Sequence, residues 1–583
     1  MNTQRSRSAG WPAGIAAAAV LALAASAGHA HALQSPDAAL TGSVTSDAEG
    51  PMEGVLVSAK RDGSTITVTV VSDASGTYTF PASRLEPGEY AVSVRAVGYV
   101  LEPATREVAV RPGRASALDL RLEEADLLSK ALHLSTAEWL MSYPLPEEDV
   151  FTLLRDCARC HDHRRVAMSR FTEAELPYVM QRMRYYWLGS TPVTYQLPPD
   201  QVVDWGRGRG VMGTDSPTPF DSLQARAVAA INLSSGPWDY PLKTYPRPAG
   251  ENTDVIYTTY DLPRVINKPH DVQMGPDGRI YYDDFNRQII GRLDPETGET
   301  VEWDLGEMFP QLVDAEAMQN DGNRVITPDG QGRFYITPPG LRRGEGYVVV
   351  FDSRTETFEY CGAAGHFSAA SSIHVDGYAW MSRGGQVLRV SFPEGGDCIV
   401  ESVAPGERLP AYDQYVDSGN NVWGASRNST EYWRVDAETF EVTRYPIPEE
   451  PRGETGLGGG SRRGWIDNQD RLWFGGFDGN YVGMLDTRAP GGPEFELFPM
   501  PMPWFQPYMA QSDNAGYVWT GSISADHVAR MNEETGQWNL YLLPGETNIR
   551  QIHVEEGDGG ELSSLWIGAN HQGRIIHIEP LEG

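Results

Sequence analysis

Cysteine and basic side chains are both scarce in this chain. It has 583 residues but only 4 Cys, too few for a fold built on disulfides. It has 47 basic and 79 acidic residues, which gives a formal net charge of −32 at pH 7. Because such a chain repels phosphate backbones and anionic lipid surfaces, nucleic-acid binding and membrane-surface binding are excluded as leading functions.

Long hydrophobic runs are also lacking, except near the N-terminus. An apolar stretch over residues 13–27 follows Arg5 and Arg7 and precedes the small-residue pattern Ala30-His31-Ala32. This stretch is short for a bilayer span, which takes about 20 residues. We therefore expect a secretory signal peptide over residues 1–32 and a periplasmic or secreted protein, with no membrane span after signal cleavage.

Residues 38–123 have the pattern of a small β-sandwich. Strand-like runs alternate with glycine turns, and the runs are Val55–Ala59, Ile66–Val71, Thr77–Phe80, Tyr90–Val94 and Arg106–Val110. The spacing Gly76-x-Tyr78-x-Phe80 followed by Pro87-Gly-x-Tyr90 resembles the carboxypeptidase regulatory-like domain. The resemblance implies an immunoglobulin-like sandwich that acts as a spacer or adhesion module, without protease chemistry.

One short motif carries specific chemistry. Cys157-Ala-Arg-Cys160-His161 is C-x-x-C-H, in which two thiols can bond to haem vinyl groups and the next imidazole can bind the iron. A redox dithiol does not require the His, and a zinc site would need a second pair of ligands nearby. The sequence therefore predicts one covalent haem c, held by Cys157 and Cys160, with His161 as an iron ligand.

Helical patterns surround this motif. A helix through residues 150–154 leads into it, Thr172-x-x-Glu175 is a capping box for a second helix, and a third is expected at about 219–233. The last helix resembles the closing helix of small c-type cytochromes, which implies a cytochrome c-like haem domain over 128–236. Cytochromes of this kind with a short spacing between the motif and the Met place the second iron ligand in a similar helix, so the resemblance implies Met183, with Met212 as the alternative.

The remainder of the chain, residues 250–583, is a repeat. Aromatic anchors recur 43–54 residues apart, at Tyr281, Tyr335, Trp380, Trp423, Trp473, Trp519 and Trp566. This period, with four short strands in each unit, indicates a seven-bladed β-propeller. Only six outer strands follow the seven anchors, so the strand near Val255–Tyr260 is expected to pair with Arg574–Ile578 and close the ring.

The first blade resembles virginiamycin B lyase, over Pro269-His270-Asp-Val-Gln-Met-Gly-Pro-Asp-Gly278 and the following strands. The resemblance implies catalytic His and Glu residues in the last blades, helped by Mg²⁺. Those blades instead read Gln506-Pro507-Tyr508 and Ile549-Arg-Gln551. The candidate pocket that remains is His270 with Asp284 and Glu316, where a divalent metal could bind.

Two further thiols, Cys361 and Cys398, lie in the propeller repeat. In an oxidising compartment they suggest a disulfide. Cys361 ends the outer strand of the second blade and Cys398 begins that of the third, which points them toward opposite faces. A disulfide needs Cα atoms closer than about 7 Å, so the sequence leaves this pairing open.

The expected fold class is thus multidomain and mainly β: an immunoglobulin-like sandwich, a small all-α cytochrome c domain and a seven-bladed propeller. The leading functional hypothesis is an exported electron-transfer protein, a possible oxidoreductase component, whose propeller binds a redox partner protein or a small organic substrate. The alternatives are a metal-assisted, lyase-like propeller enzyme and a binding protein without turnover.

Overall fold

A computed structural model describes residues 38–581, apart from 159–160, 184–218, 265, 286, 311–324, 330, 337–346, 363–377, 384, 393–396, 426–430, 449–460 and 558–561. The expected signal peptide, residues 1–32, lies outside the described part. None of the described helices is long and apolar enough to cross a membrane. The chain is mainly β and multidomain, as the sequence predicts.

The N-terminal strands form two packed sheets. The strands are β1 Ala38–Ser46, β2 Gly50–Pro51, β3 Leu56–Arg61, β4 Ile66–Val71, β5 Thr77–Pro81, β6 Gly88–Arg95, β7 Tyr99–Val100, β8 Arg106–Val110, β9 Ser116–Ala117 and β10 Leu120–Glu124. In one sheet β1 pairs with β2, β5, β9 and β10, and β7 adds to β10. In the other, β4, β3, β6 and β8 lie side by side.

Alternate residues of both sheets form one sandwich core, which includes Leu40, Val57, Tyr78 and Val92. A Cβ atom at Gly42 would lie only 1.8 Å from the carbonyl oxygen of Leu118. Glycine is therefore required where β1 approaches the segment before β10.

Six described helices follow the sandwich. They are α1 Leu127–His133, α2 Thr136–Ser142, α3 Glu147–Cys157, α4 His163–Ala167, α5 Leu176–Met183 and α6 Pro219–Ala229. Thr172 and Glu175 pair as a capping box does, with the Thr172 N–H 2.9 Å from Glu175 Oε2, but they close a turn before α5. We attribute the late start of α5 to Pro177, which has no N–H to donate and fits only a first turn.

Strand β11 Val255–Asp261, which a short 3-10 helix at Gly250–Thr253 precedes, leads into consecutive antiparallel sheets that form the blades. Blade 1 is β12 Pro269–Met274, β13 Ile280–Asp284, β14 Ile289–Leu293 and β15 Thr300–Asp304, followed by α7 Leu305–Met308; blade 2 is β16 Ile326–Pro328, β17 Arg333–Ile336, β18 Tyr347–Asp352 and β19 Thr357–Gly362; blade 3 is β20 Tyr378–Arg383, β21 Gln386–Ser391 and β22 Ile399–Val403; blade 4 is β23 Asp413–Val416, β24 Val422–Ala425, β25 Glu431–Val435 and β26 Val442–Pro446.

The last three blades complete the ring. Blade 5 is β27 Gly464–Ile466, β28 Arg471–Gly476, β29 Tyr481–Asp486 and β30 Glu494–Pro499; blade 6 is β31 Pro507–Ser512, β32 Tyr517–Ser522, β33 His527–Asn532 and β34 Trp538–Leu542; blade 7 is β35 Ile552–Glu555, β36 Ser564–Ala569 and β37 Arg574–Pro580, with β11 as its outer strand. The inner strand of blade 1 contacts blade 7 on one side and blade 2 on the other.

The aromatic anchors lie on the second strand of every blade except blade 3, where Trp380 lies on β20, the first strand of that blade among the described residues. In blades 4, 5 and 6 the anchor is a buried Trp whose indole N–H donates to an Asp six residues earlier, in the turn that precedes the strand. The distances from indole nitrogen to carboxylate oxygen are 2.8 Å for Trp423–Asp417, 3.1 Å for Trp473–Asp467 and 2.9 Å for Trp519–Asp513. This bond explains why turn and anchor recur together in the sequence.

Strand β11 closes the ring and also joins it to the sandwich. It pairs antiparallel with β37, from Val255 opposite Pro580 to Asp261 opposite Arg574, as the sequence predicts. Its other edge pairs with β4, from Ile256 opposite Val70 to Tyr260 opposite Ile66. One eight-stranded sheet therefore runs from blade 7 into the sandwich.

A disulfide joins Cys361 of blade 2 to Cys398, which lies just before the outer strand of blade 3, with a Cα–Cα distance of 5.8 Å. The expectation that these residues point toward opposite faces is wrong. Adjacent strands in a sheet are rotated by about 20–25°, so an outer strand is strongly tilted relative to the inner one. We attribute the approach of the two residues to this tilt.

Candidate functional site

The C-x-x-C-H segment begins at the end of α3. Cys157 is the last residue of α3, and Cys160 lies outside the described residues. The Nδ1 atom of His161 is 2.9 Å from the carbonyl oxygen of Asp162, so Nδ1–H donates to it and Nε2 keeps its lone pair. Burial lowers the pKa of His161, which favours the neutral imidazole. A His held this way is suited to bind a metal through Nε2.

The two methionines considered as the second iron ligand differ in their placement. Met183 is the last residue of α5 and is partly buried, and Met212 lies outside the described residues. Cys157 and Met180 pack against the hydrophobic core that α3, α5 and α6 share. The thiol of Cys157, the oriented imidazole of His161 and the nearby methionines are the donor types that a covalent haem c would use.

His163, two residues beyond His161, is part of the helical core. Its side chain is fully buried, with Nδ1 3.2 Å from the Tyr143 hydroxyl and Nε2 3.3 Å from the carbonyl oxygen of Leu153. Burial lowers its pKa to about 4. His163 therefore has a structural role.

The segment that carries the motif is docked on the propeller. Asn548, between blades 6 and 7, is the main link. Its side-chain amide N–H donates to the carbonyl oxygen of Ala158 at 3.4 Å and of Ile523 at 3.0 Å. Its Oδ1 accepts a hydrogen bond of 2.8 Å from Arg550 Nε. One residue of the C-x-x-C-H sequence is thus connected through a single side chain to an arginine of the ring.

A pair of carboxyl groups lies at the same contact. Burial, and then the neighbouring carboxylate of Asp162, raise the pKa of Glu546 to about 9. Arg164 Nη2 donates to Glu546 Oε2 at 2.9 Å, and Nδ1 of His571 is 3.6 Å from Oε1. Glu546 is therefore protonated at neutral pH and shares its proton with Asp162.

A buried chain of charged groups starts at His270 on the inner strand of blade 1. His270 Nδ1 is 2.6 Å from Asp271 Oδ1. Both oxygens of Asp271 accept hydrogen bonds of 2.7 Å from Nη1 of Arg463, which precedes blade 5. Burial lowers the pKa of His270 to about 4, so its imidazole is neutral, donates from Nδ1 and has a lone pair on Nε2.

Asp283, on the second strand of blade 1, completes this group. Its Oδ1 accepts the backbone N–H of Asp271 at 2.8 Å, and its Oδ2 has no hydrogen-bond partner among the described residues. Burial and the Asp271 carboxylate raise its pKa well above the usual range, so Asp283 is protonated more readily than an ordinary aspartate.

A divalent metal does not fit this group well. The ligand atoms of His270, Asp271 and Asp283 lie within 4.8 Å of one another, as a metal site requires. However, the guanidinium of Arg463 binds both oxygens of Asp271, and His270 Nδ1 binds the same carboxylate. A cation would have to displace Arg463, so we derive no chemistry through a metal here.

The described residues do not assemble the candidate pocket that the sequence led us to expect. Asp284 lies outside the group around His270. Its Oδ2 accepts hydrogen bonds from Asn267 Nδ2 at 3.0 Å and from Arg264 Nη2 at 3.3 Å. Successive residues of a strand point to opposite faces, so Asp283 and not Asp284 lies with His270. Glu316 lies outside the described residues.

A second group, of arginines and aromatic rings, lies beside the first. The Arg462 guanidinium carbon is 4.2 Å from the ring centre of Phe477, 5.4 Å from that of Tyr508 and 5.5 Å from that of Tyr412. The hydroxyl groups of Tyr412 and Tyr508 are hydrogen-bonded to each other. We call these four residues, Arg462, Tyr412, Tyr508 and Phe477, the arginine–aromatic site.

Tyr412 is unusually acidic. Burial raises the pKa of a phenol, but the guanidinium groups of Arg462, Arg463 and Arg550 and the hydrogen bond with Tyr508 outweigh burial and lower the pKa of Tyr412 to about 8. The phenol therefore becomes a phenolate slightly above neutral pH. A phenolate so placed can accept a proton or balance a cation.

Arg550 joins the two groups to the helical segment. Its guanidinium carbon is 5.8 Å from the ring centre of Tyr508 and 5.3 Å from that of Phe285. The Phe285 ring stacks on His270, with ring centres 4.8 Å apart. A continuous series of contacts thus runs from Ala158, through Asn548 and Arg550, to both groups of the propeller.

The sequence pointed to His270 in this part of the propeller but missed the arginines. Arg462 and Arg463 are a buried Arg-Arg pair directly before an inner strand, and each is at most 7% exposed. Because arginine is almost never buried without a partner, an arginine pair at the start of an inner strand is a usable signal.

Comparisons with known proteins cover different parts of the chain. Residues 39–123 match the carboxypeptidase regulatory-like domain family. The N-terminal sandwich is therefore a domain of that family, as its glycine and tyrosine spacing predicts. No curated protein matches the chain.

Among solved structures, virginiamycin B lyase from Staphylococcus aureus is 15% identical, with a TM-score of 0.44, and the match covers 56% of this chain and 99% of the lyase. A streptogramin B lyase is 16% identical with a TM-score of 0.44 and coverage of 57% and 99%. The WD40 repeats of RRP9 are 12% identical, with a TM-score of 0.42 and coverage of 56% and 97%. The successive antiparallel sheets of this chain, and the contacts of the first blade with the second and the last, are what establish the ring.

Proposed function

We propose that this protein is an exported c-type cytochrome with an electron-transfer function, in which the helical haem-binding segment is coupled to a propeller that binds a substrate or ligand. Cys157 and Cys160 would attach the haem, His161 would bind its iron, and Met183 or Met212 would be the second ligand. A haem held there supplies one-electron transfer.

The observation that carries the proposal is the contact between the motif and the propeller site. Asn548 hydrogen-bonds to both Ala158 and Arg550, and Arg550 packs on Tyr508 and Phe285. A cytochrome attached only as a separate carrier would need no such connection. The contacts favour a haem segment positioned to exchange electrons with a molecule bound in the ring.

The residues of the contact have definable tasks. Asn548 fixes the orientation of Arg550 relative to the motif. Glu546, protonated beside Asp162, places a neutral acid where two adjacent carboxylates would repel each other. The neutral His270 can accept a hydrogen bond at Nε2 from a bound molecule, because Asp271 orients its other nitrogen.

Haem attachment is tested on the full-length chain, expressed with haem-loading machinery in a periplasm. The mature protein should stain for haem on a denaturing gel, since the bond is covalent, and the double change Cys157→Ala with Cys160→Ala should abolish the stain. Cys361→Ala with Cys398→Ala is the matched control, and it should keep the stain. Haem staining of the first double variant would contradict the proposal.

Coupling is tested by reduction of the attached haem. Small organic molecules are added to the ferric protein, and the haem spectrum is followed with time. Asn548→Ala should slow the reduction by any active compound while the haem content is unchanged. Turnover that persists without haem and is lost on chelation would favour a metal-assisted lyase instead, and binding without reduction or turnover would favour a binding protein.

A further inference from the structure

The arginine–aromatic site contains a buried cation, Arg462, for which the described residues offer no carboxylate partner. Arg462 is 7% exposed, and its Nε has no hydrogen-bond partner. In the part of the chain that the structure describes, no carboxylate forms an ion pair with it. Its guanidinium instead faces the rings of Phe477, Tyr508 and Tyr412. Burying an unpaired guanidinium is unfavourable, even with cation–π contacts, so its retention points to a role in binding.

The neighbouring Arg463 shows what a structural arginine looks like in the same place. Its Nη1 binds both oxygens of Asp271 at 2.7 Å, and its Nε lies 3.9 Å from Asp413 Oδ2. These two carboxylates balance the positive charge of Arg463. The charge of Arg462 therefore stays available for a ligand. The two arginines directly precede the same inner strand, but they differ in the charged groups that surround them.

Two fully buried glutamines lie next to this site in sequence. Gln414 is two residues beyond Tyr412, and Gln506 is two residues before Tyr508. Neither side-chain amide has a hydrogen-bond partner among the described residues. Gln506 also has a φ of 59°, the left-handed region, and its N–H is held by Asn480 Oδ1 at 2.9 Å. Strained backbone and unsatisfied polar groups of this kind cluster at binding sites.

We propose that the arginine–aromatic site binds a small organic carboxylate with a flat aromatic body, the carboxylate on the Arg462 guanidinium and the body against the rings of Phe477 and Tyr508. Guanidinium groups bind carboxylates through two parallel N–H bonds, and aromatic rings supply a flat apolar surface. Tyr412 is the partly exposed member of the site. A ligand of this class would occupy the propeller, and only its oxidation by the haem rests on the proposed function.

The test is isothermal titration of the full-length, haem-loaded protein with benzoate. Benzamide, which has the same ring without the charge, and acetate, which has the charge without the ring, are the comparison probes. We expect benzoate to bind in a 1:1 complex, at least about tenfold more tightly than either. Benzoate binding no tighter than that of benzamide would overturn the proposal.

Two variants locate the ligand. Arg462→Gln should weaken benzoate binding by about tenfold or more and leave benzamide binding unchanged. Arg488→Gln, in the same blade but with a 61% exposed side chain, is the matched control and should bind benzoate normally. If Arg462→Gln fails to fold, Phe477→Leu should weaken benzoate binding but not acetate binding. Normal benzoate affinity in the folded Arg462→Gln variant, or in Phe477→Leu, would overturn the assignment.

The outcome separates this inference from the proposed function. If the protein binds benzoate as expected and yet fails the haem-stain test, that result would support the carboxylate site and reject the cytochrome function. A haem that organic molecules reduce, in a protein that does not bind benzoate, supports the cytochrome function and rejects the carboxylate site.

Discussion

At the residue scale, the second ligand of the proposed haem iron is the first point that experiment can decide. Met183→Ala should remove the thioether-to-iron absorption band at long wavelength and lower the reduction potential, because Met ligation raises it. Visible spectroscopy and a redox titration measure both effects. Met180→Ala, on the same helix, is the control and should keep the band. Loss of the band in Met212→Ala and not in Met183→Ala would move the ligand to Met212.

Ligand binding at the arginine–aromatic site should depend on pH through Tyr412. Its phenol is neutral below its pKa of about 8 and becomes a phenolate above it, where it would balance Arg462 and repel a carboxylate. Benzoate affinity should therefore fall as pH rises from 7 to 9.5. Titration calorimetry at each pH measures this.

The groups that face Tyr412 are Arg462 and Arg463 before blade 5, Tyr508 on blade 6 and Arg550 before blade 7, and the arginines stay charged throughout this range. Tyr412→Phe should abolish the fall in affinity. Asp283 also has a raised pKa, so Asp283→Asn is the matched control and should keep the fall. A fall of the same size in Tyr412→Phe would assign the titration to another group.

At the scale of elements, the turn aspartates hold the second strands of the blades in register. Asp513 accepts the Trp519 indole N–H and the backbone N–H groups of Ala515 and Tyr517, each at 2.9 Å. Asp513→Ala should leave the buried indole N–H unsatisfied and destabilise the protein by about 2–3 kcal/mol, which urea unfolding can measure. Glu534→Ala, at an exposed site of the same blade, should be neutral. Equal stability of the two variants would mean that the turn does not hold the anchor.

Some elements could be predicted from sequence and others could not. The aromatic anchors and outer strands were predicted because strand patterning and turn residues are local signals. The late start of α5 depends on how Pro177 fits the first turn, which a capping pattern alone does not decide. The pairing of β4 with β11 was not predicted, because a sheet edge carries no signal for the strand that will cover it.

At the scale of the whole molecule, buried polar contacts tie the sandwich to the ring. Arg95, at the end of β6, donates through Nη2 to Asp526 Oδ2 at 2.9 Å and through Nη1 to the carbonyl oxygens of Leu543 at 2.6 Å and Gly545 at 2.9 Å. Burial raises the pKa of Asp526, and Arg95 opposes this. The sandwich is thereby attached to the ring by charge as well as by β4.

Loss of the Arg95–Asp526 ion pair should destabilise the folded protein. Arg95→Gln should cost about 3 kcal/mol near neutral pH, because a buried carboxylate loses its partner. Thermal unfolding measures the loss. A buried carboxylate without its cation is protonated more readily, so the cost should shrink as pH falls. Arg61→Gln, whose partner Glu86 has a 76% exposed side chain, should change stability by less than about 1 kcal/mol. A similar effect of both changes would show that Arg95 does not link the domains.

The sequence by itself determined the local patterns of this protein. The turn residues, the anchors and the glycines of the sandwich lie within short segments, and their structural meaning does not depend on distant residues. The C-x-x-C-H motif is equally local, and the haem that it predicts stays a prediction. The sequence also determined that the first strand closes the ring, because without that strand the seven anchors have only six outer strands.

Only the tertiary structure decided which side chains meet. Asp283 rather than Asp284 lies with His270, Arg463 from blade 5 binds Asp271 of blade 1, and Asn548 connects Ala158 to Arg550. These residues are far apart in the chain, and buried charges are stable only with partners that the fold brings to them. The site is therefore a property of the closed ring with the helical segment docked on it, since no single blade contains it.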